Sequence, residues 1–332
     1  MAFETGELHP NTPHLFADLA ELLLLTGRFG RARLHKNDLE GLLTHGAITV
    51  DEIDEEEAAE EEAEATEIST AERSGRVEKQ LEDIFTHLAY RAEALVGPYP
   101  FVVEKERLVL VDGLTPQQRV YRFLVCCSRL RSFQKKGVPQ RWAKHFARIS
   151  KVAMQGLAPA TAETRIFDAN SDDRKDYYST DLRVALKKMG EDLGVLKVLQ
   201  EECDKQDPAG DAGFDLVTTV GFNDGAATNY GILGQCGARE TEWPSKTLEA
   251  HAIRASCYFQ LMFQYPSVMF TPVCFRSATG EWVDNRAATG ILLADRGRML
   301  SLIDAQTGWD PIVQSEWFTG FETEFNEVIA AD

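Results

Sequence analysis

Apolar residues recur at three- and four-residue intervals through residues 13–43, "LFADLAELLLLTGRFGRARLHKNDLEGLL" among them, with Gly27 and Gly30 as interruptions and Asn37-Asp38 as a second helix start. The spacing predicts a small helical pair. Residues 77–95 carry the same period and end at "GPYP", and "FVVEKERLVLVDG" then alternates as a strand hairpin does around a Glu-Lys-Glu-Arg turn. A further helix opens with Thr115 as N-cap and Pro116 at its first position, burying Tyr121, Phe123, Leu124, Cys127 and Leu130. The next, over residues 140–156, places Trp142, Phe146, Ile149 and Val152 on one side. Its surroundings and other side are basic: Lys135, Lys136, Arg141, Lys144, His145, Arg148 and Lys151.

After a polar stretch, "RIFDANSDDRKDYYSTD", a long amphipathic helix is expected from Leu182 to about Cys203. The period then changes. "FDLVTTVGF" over 214–222 and "YGILGQC" over 230–236 read as two strands joined by the turn "NDGAATN", an antiparallel hairpin. A helix capped by Ser245 and running to about Gln264, a β-rich "PSVMFTPVCF", and a strand leading into a helix within "TGILLADRGRMLSLIDAQTG" complete the pattern, with Asp295 as the last N-cap. The expected class is α/β (α+β): an N-terminal helical region over 1–50, an acidic linker over 51–75, a helix-hairpin-helix connection over 76–135, and an α/β domain over 136–332.

Composition changes this picture in one respect. The 332 residues carry a formal charge of −18, which disfavours overall attraction to phosphate backbones or anionic membranes. Residues 51–67 hold 11 acidic side chains and no basic one, so the rest of the chain is only mildly acidic. That tract reads as a self-repelling spacer or, alternatively, as a mimic of nucleic-acid charge for a basic groove. Any contact with nucleic acid must therefore be local, and the basic helix over 140–156 is the best place for it. No stretch reaches the ~20 apolar residues that cross a bilayer, and the first residues lack the pattern of a secretion signal, so the expected location is cytoplasmic with no membrane partner. The six cysteines have neither disulfide-framework nor zinc-site spacing and read as reduced, buried hydrophobes.

The chemistry gathers in "GFDLVTTVGFNDGAATNYGILGQCGARETEWPSK", residues 213–246. In an antiparallel hairpin the start of one strand lies beside the end of the next, so Asp215 and Gln235 can converge at one end of a sheet. A carboxylate buried on a strand is costly unless paired or bound to a metal. The bland reading has Asp215 bonding a nearby backbone NH such as that of Val217, and Gln235 bonding a neighbouring backbone group. Elsewhere, Arg296 and Arg298 read as surface charges or phosphate contacts, Trp243 as a packing residue, and His145 and His251 as non-ligands.

Gly213-Phe214-Asp215 and Gly234-Gln235-Cys236-Gly237 resemble the two motifs of the PD-(D/E)XK phosphodiesterase superfamily, the restriction-endonuclease-like fold, in the branch where glutamine replaces the second acid. The resemblance spans residues 213–275. It implies a helix followed by a three-stranded meander, with an antiparallel hairpin and mixed sheet flanked by helices. It also implies Mg²⁺ or Mn²⁺ held by Asp215, the Gln235 amide oxygen and the Cys236 carbonyl, and a lysine that assists the attacking water. Gly237 stands where that lysine is usual. Lys246, the only lysine beyond Gly213, is the candidate replacement, which gives Asp215, Gln235 and Lys246 as the catalytic set. Asp181 or Glu191 is left as the upstream acid. The function implied is a metal-dependent nuclease acting on DNA within a multi-component prokaryotic antiviral system, together with an ATPase, helicase or sensor subunit. The alternatives are a catalytically degenerate scaffold of the same fold and an unrelated α/β binding module.

Overall fold

The computed structural model describes residues 4–5, 8, 12–28, 32–44, 70–222, 224–239, 242–306 and 308–330. The acidic tract of 51–67 lies outside them, as does Asn223 in the hairpin turn. The fold is mixed α/β, as expected. In place of four consecutive segments, the chain forms two compact units. The first joins residues 1–139 to 273–283 and 319–332, and the second joins 140–272 to 284–318.

In the first unit, α1 (Pro13–Leu25), β1 (Arg33–His35), α2 (Lys36–Thr44), α3 (Thr70–Ala94), β2 (Phe101–Glu104), β3 (Arg107–Leu110) and α4 (Pro116–Ser128) follow in order. The sheet runs β1-β3-β2, entirely antiparallel, with Glu104 opposite Arg107 across the expected turn. β1, which the pattern did not predict, pairs with β3 from His35 opposite Arg107 to Arg33 opposite Val109. Thr115 caps α4 reciprocally: the Gln118 N–H donates to Thr115 Oγ1 at 3.3 Å, and the Thr115 N–H to Gln118 Oε1 at 3.0 Å.

The core of this unit holds charge. Arg91, 1% exposed, places Nη1 2.7 Å from Asp18 Oδ1 and 2.9 Å from Glu21 Oε1, with both carboxylates at 0% exposure. Arg91 Nη2 donates to the His14 carbonyl at 2.7 Å, and the Tyr99 and Tyr121 hydroxyls donate to Glu21 at 3.0 and 2.9 Å. Burial lowers the His14 ring to about 3 and the His87 ring to about 4, so both stay neutral beside this group.

The second unit begins with α5 (Val138–Gln155), whose first two residues belong to the first. It continues through β4 (Glu163–Ile166), α6 (Leu182–Leu193), β5 (Lys197–Val198), α7 (Gln200–Asp204), β6 (Leu216–Val220), β7 (Tyr230–Cys236), α8 (Ala252–Ala255), β8 (Phe259–Gln260), β9 (Ser267–Phe270), β10 (Leu292–Ala294), α9 (Arg296–Asp304) and α10 (Asp310–Val313). A last helix, α11 (Glu316–Ala330), carries the chain back into the first unit. There Glu322 pairs with Arg119 and Arg122 of α4.

The five-stranded sheet has the order β10-β9-β7-β6-β4. β4, β6 and β7 form an antiparallel meander, and β9 and β10 add in parallel to β7. The hairpin of β6 and β7 forms where its alternation predicted, from Leu216 opposite Gly234 to Val220 opposite Tyr230. Helices cover both faces. On one, Leu186, Met189 and Leu193 of α6 cluster with Val217 and Leu233. On the other, Met154 of α5 lies 3.1 Å from where a Gly234 side chain would begin.

Two expected helices do not form as predicted. The one from Leu182 to Cys203 stops at Gly194, which turns left-handed at φ 61° and lets Lys197–Val198 pair with Phe259–Gln260 before the short α7. The helix expected from Ser245 to Gln264 is a 3₁₀ turn at Trp243–Lys246, then α8, then β8. Asp295 caps α9 as expected, accepting the Arg298 N–H at 3.1 Å. Arg296, read as a surface charge or a phosphate contact, is fully buried and donates to the Pro272 carbonyl at 2.8 Å. None of the six cysteines forms a disulfide; Cys126, Cys127, Cys203 and Cys274 are buried, Cys236 is half-buried and Cys257 is exposed. No helix among the described residues is long and apolar enough to cross a membrane.

Candidate functional site

Asp215 sits at the junction of three backbone segments where β6 begins. Its own N–H donates to the Gly234 carbonyl at 3.0 Å, its carbonyl accepts the Phe167 N–H at 2.7 Å, and its Oδ2 accepts the Cys236 N–H at 2.7 Å. The carboxylate is thus held across the end of β7 rather than on the N–H of Val217. Two further aspartates meet it. Asp168 follows the end of β4 and Asp211 lies in the turn before β6, and one carboxylate oxygen of each of the three lies within 4.8 Å of the others.

Local chemistry explains why they converge. Asp168 Oδ1 accepts the Asn170 N–H at 2.9 Å, and Asp211 Oδ1 accepts the Gly213 N–H at 2.9 Å. Each aspartate therefore has one oxygen on a backbone N–H. The Asp211 turn uses two consecutive left-handed residues, Ala212 at φ 57° and Gly213 at φ 88°. For alanine that conformation costs on the order of 1 kcal/mol, a strain typical of functional turns. Gly213 is required by space as well, since a side chain there would begin 3.0 Å from the Glu249 carbonyl.

Arg174, at 0% exposure, braces the arrangement. It donates to the Phe167 carbonyl at 2.7 Å, the Gly210 carbonyl at 3.2 Å and the Ser179 carbonyl at 2.7 Å, gripping the residues immediately before Asp168 and Asp211. It opens a single π-helical turn, Arg174–Tyr178, a form that recurs at functional sites.

Burial above all, opposed by the Cys236 N–H and reinforced by Asp211, Asp168 and Glu249, pushes the Asp215 carboxyl up to about 8. Three carboxylates around a half-buried position, with the central one reluctant to ionise alone, are a group able to hold a metal ion: hard cations take oxygen donors, and a divalent charge relieves the repulsion.

A cavity of about 720 Å³ opens beside Asp168, Asp215 and Cys236. Its other wall is α5, which presents Lys144, Arg148 and Lys151 from one face. These three belong to the basic cluster picked out in the sequence. Arg148 lies 3.4 Å from Asp172, and Lys151 2.7 Å from Asp173. Lys135, from the same cluster, instead pairs with Glu327 at 3.0 Å in the first unit.

The sequence-predicted residues divide accordingly. Asp215 and Cys236 share the cavity; the resemblance assigns the Cys236 carbonyl to the metal, not its thiol, which burial keeps protonated. Gln235 alternates with Cys236 along β7 and is not part of the cavity wall. Its Nε2 donates to Glu249 Oε2 at 3.1 Å, while its Oε1, in a side chain on a residue only 7% exposed, accepts no hydrogen bond. Lys246 does not join the site. It is absent from the cavity wall, its side chain is 41% exposed, and it lies 3.8 Å from Glu242.

No room exists for a lysine at position 237 either, because a Cβ there would fall far inside van der Waals contact with Trp243 Cβ. Trp243, 1% exposed, thus fills the space above Gly237 as a packing residue. Gly237→Ala is accordingly expected to cost about 1–3 kcal/mol by overpacking, read as a lower urea midpoint at unchanged slope. An unchanged midpoint would mean that Trp243 moves aside freely.

Neither Asp181 nor Glu191 reaches the aspartate group. Asp181 caps α6 and bonds Arg183 at 2.9 Å, and Glu191 is exposed on the same helix. The acids that do reach it, Asp168 and Asp211, sit in "RIFDAN" and "GDAGF". Neither stands out in the sequence: the first follows Ile166-Phe167 in a polar stretch, and the second precedes a small-residue turn four positions ahead of Asp215. His145 stacks on Trp317 at 5.3 Å between centroids and His251 caps α8, so neither takes part. Comparison with family models, with curated proteins and with solved structures returns no match.

Proposed function

We propose that the second unit is a metal-dependent phosphodiesterase acting on nucleic acid, with Asp168, Asp211 and Asp215 holding Mg²⁺ or Mn²⁺. The observation that carries this reading is a three-aspartate group at the end of a sheet, two of whose members, Asp168 and Asp215, line a cavity that α5 walls with Lys144, Arg148 and Lys151. The order of elements supports it: helix α5, the antiparallel meander β4-β6-β7, and Asp215 where the second of those strands begins, as in the family that the sequence resembles. The orphaned Gln235 Oε1 is a further oxygen donor near the same strand end. A bound divalent ion would polarise the scissile phosphate and lower the pKa of a water. The chain's own part is to present the oxygens, hold them apart from competing cations, and offer Lys144, Arg148 and Lys151 to the phosphate backbone.

The choice of DNA, and a place in a prokaryotic antiviral system, follow from the resemblance. The charge of −18 argues for a partner, an ATPase, helicase or sensor subunit, that brings the substrate to a chain with one local basic wall. A second reading, a scaffold that binds metal without cutting, has one observation in its favour: position 237 cannot carry the usual lysine.

Cleavage of labelled single- and double-stranded DNA and RNA in Mg²⁺, Mn²⁺ and chelator, for wild type and Asp168→Asn, separates the readings. Metal-dependent products lost in the variant are the expected result. Metal binding without products selects the scaffold, and neither binding nor products overturns both.

A further inference from the structure

We propose that Lys151, oriented by Asp173, is the cation that meets the reacting phosphate, in place of the lysine that position 237 cannot hold. The inference rests on the phosphodiesterase reading and goes beyond it by assigning this role within the cavity. Lys151 lines the same wall as Lys144 and Arg148 but is the most enclosed of the three: its side chain is 28% exposed, that of Arg148 is 42% exposed, and Lys144 is an exposed residue.

Its amine is fixed by one bond. Asp173 Oδ2 accepts from Lys151 Nζ at 2.7 Å, and the same oxygen accepts the Ile166 N–H at 2.7 Å. Ile166 ends β4 and stands two residues before Asp168. Asp173 therefore ties the end of the lysine to the strand that delivers a metal-site carboxylate. Lys246 and Arg174 do not compete for the role, the first lying outside the cavity wall and the second spending its donors on three carbonyls.

An ammonium has three N–H donors, and the bond to Asp173 uses one. The other two are free to donate to a non-bridging phosphate oxygen. In hydrolysis the water gives its hydroxyl to phosphorus and a proton to the departing oxygen, the P–O bond to that oxygen breaks, and Lys151 keeps all its protons. Its contribution is electrostatic and grows with charge on the phosphate oxygens, a role worth on the order of 10²–10³ in rate for a single donor. Asp173 touches no reacting atom and is a positioning residue.

The test compares Lys151→Met, Lys151→Arg, Asp173→Asn and the double variant Lys151→Met/Asp173→Asn, using metal-titration calorimetry and steady-state hydrolysis of labelled DNA. Lys151→Met should lower kcat by about 10²–10³ while metal affinity stays at the wild-type level. Lys151→Arg should recover part of the loss because the charge remains. Asp173→Asn should lower kcat without raising KM, and the double variant should be no slower than Lys151→Met alone, since the two act as a unit. If Lys151→Met does not fold, Lys151→Gln takes its place.

A kcat within a few-fold of wild type in Lys151→Met overturns the inference. The phosphodiesterase reading survives that result if Asp215→Asn is inactive in the same assay. A wild-type protein that binds metal and cuts nothing overturns both.

Discussion

Asp215→Asn should weaken divalent-metal binding by more than about 100-fold, the upper end of what losing a merely outer-shell partner costs, and should leave the fold intact at neutral pH. The amide has the same shape as the carboxyl, and its oxygen can still accept the Cys236 N–H. With its pKa raised to about 8, the wild-type carboxyl already carries a proton at pH 7 in the metal-free protein. A raised folded pKa stabilises the protein fully at low pH, and that contribution is lost as pH climbs from the ordinary carboxyl range toward 8. The Asn variant should therefore match the wild type in stability at low pH and gain on it as pH rises toward 8. Metal must displace the proton, so wild-type affinity should climb with pH up to about 8, with a proton released on binding at pH 7. Calorimetry in two buffers of different ionisation heat reads that proton directly. Equal affinity and equal proton release in the Asn variant would remove Asp215 from the metal centre.

Arg91→Met should destabilise the first unit by about 3–5 kcal/mol, a large share of the 5–15 kcal/mol that holds a typical domain together. The guanidinium is the shared partner of two carboxylates with no exposure to water, and a methionine of similar length fills its space without neutralising them. Tyr99 and Tyr121 still donate to Glu21, but a hydroxyl supplies no charge. Removing the whole group in Asp18→Leu/Glu21→Met/Arg91→Met should recover much of the loss, because the unpaired charge rather than the missing contact is what costs. Hydrogen exchange in α1 and α3 isolates this unit from the other. Protection unchanged in the single variant would mean that water reaches Asp18 and Glu21.

What the sequence made legible was local and periodic. The β6–β7 hairpin, the Thr115 cap and the Asp295 cap depend on neighbouring stretches of chain, and each formed where its pattern lay. The helix expected through Cys203 failed for a non-local reason: Gly194 permits a left-handed stop, and the pairing of Lys197–Val198 with Phe259–Gln260 then outcompetes helix continuation. The same holds for the site. Asp215 was readable because a strand isolates it, whereas Asp168 and Asp211 lie in polar turns whose neighbours include Asp172, Asp173 and Asp207, and nothing local distinguishes them. Only the sheet end and Arg174 select those two. Lys246 looked suitable by distance along the chain, but a 3₁₀ turn replaced the helix meant to carry it, and Trp243 took the space over Gly237.

The path of the backbone has a consequence for synthesis. The chain passes from one unit to the other at residues 139–140, 272–273, 283–284 and 318–319. When a ribosome has released the first 139 residues, the early helices and hairpin are present, but the Glu322 that pairs with Arg119 and Arg122 has not been made. The aspartate-bearing sheet likewise waits for β10 before its order is complete. Co-translational folding usually proceeds domain by domain from the N-terminus. Here the second unit cannot close before residue 318 has emerged, nor the first before Glu322, so the two finish close together, and a cut anywhere between residues 140 and 318 leaves both incomplete.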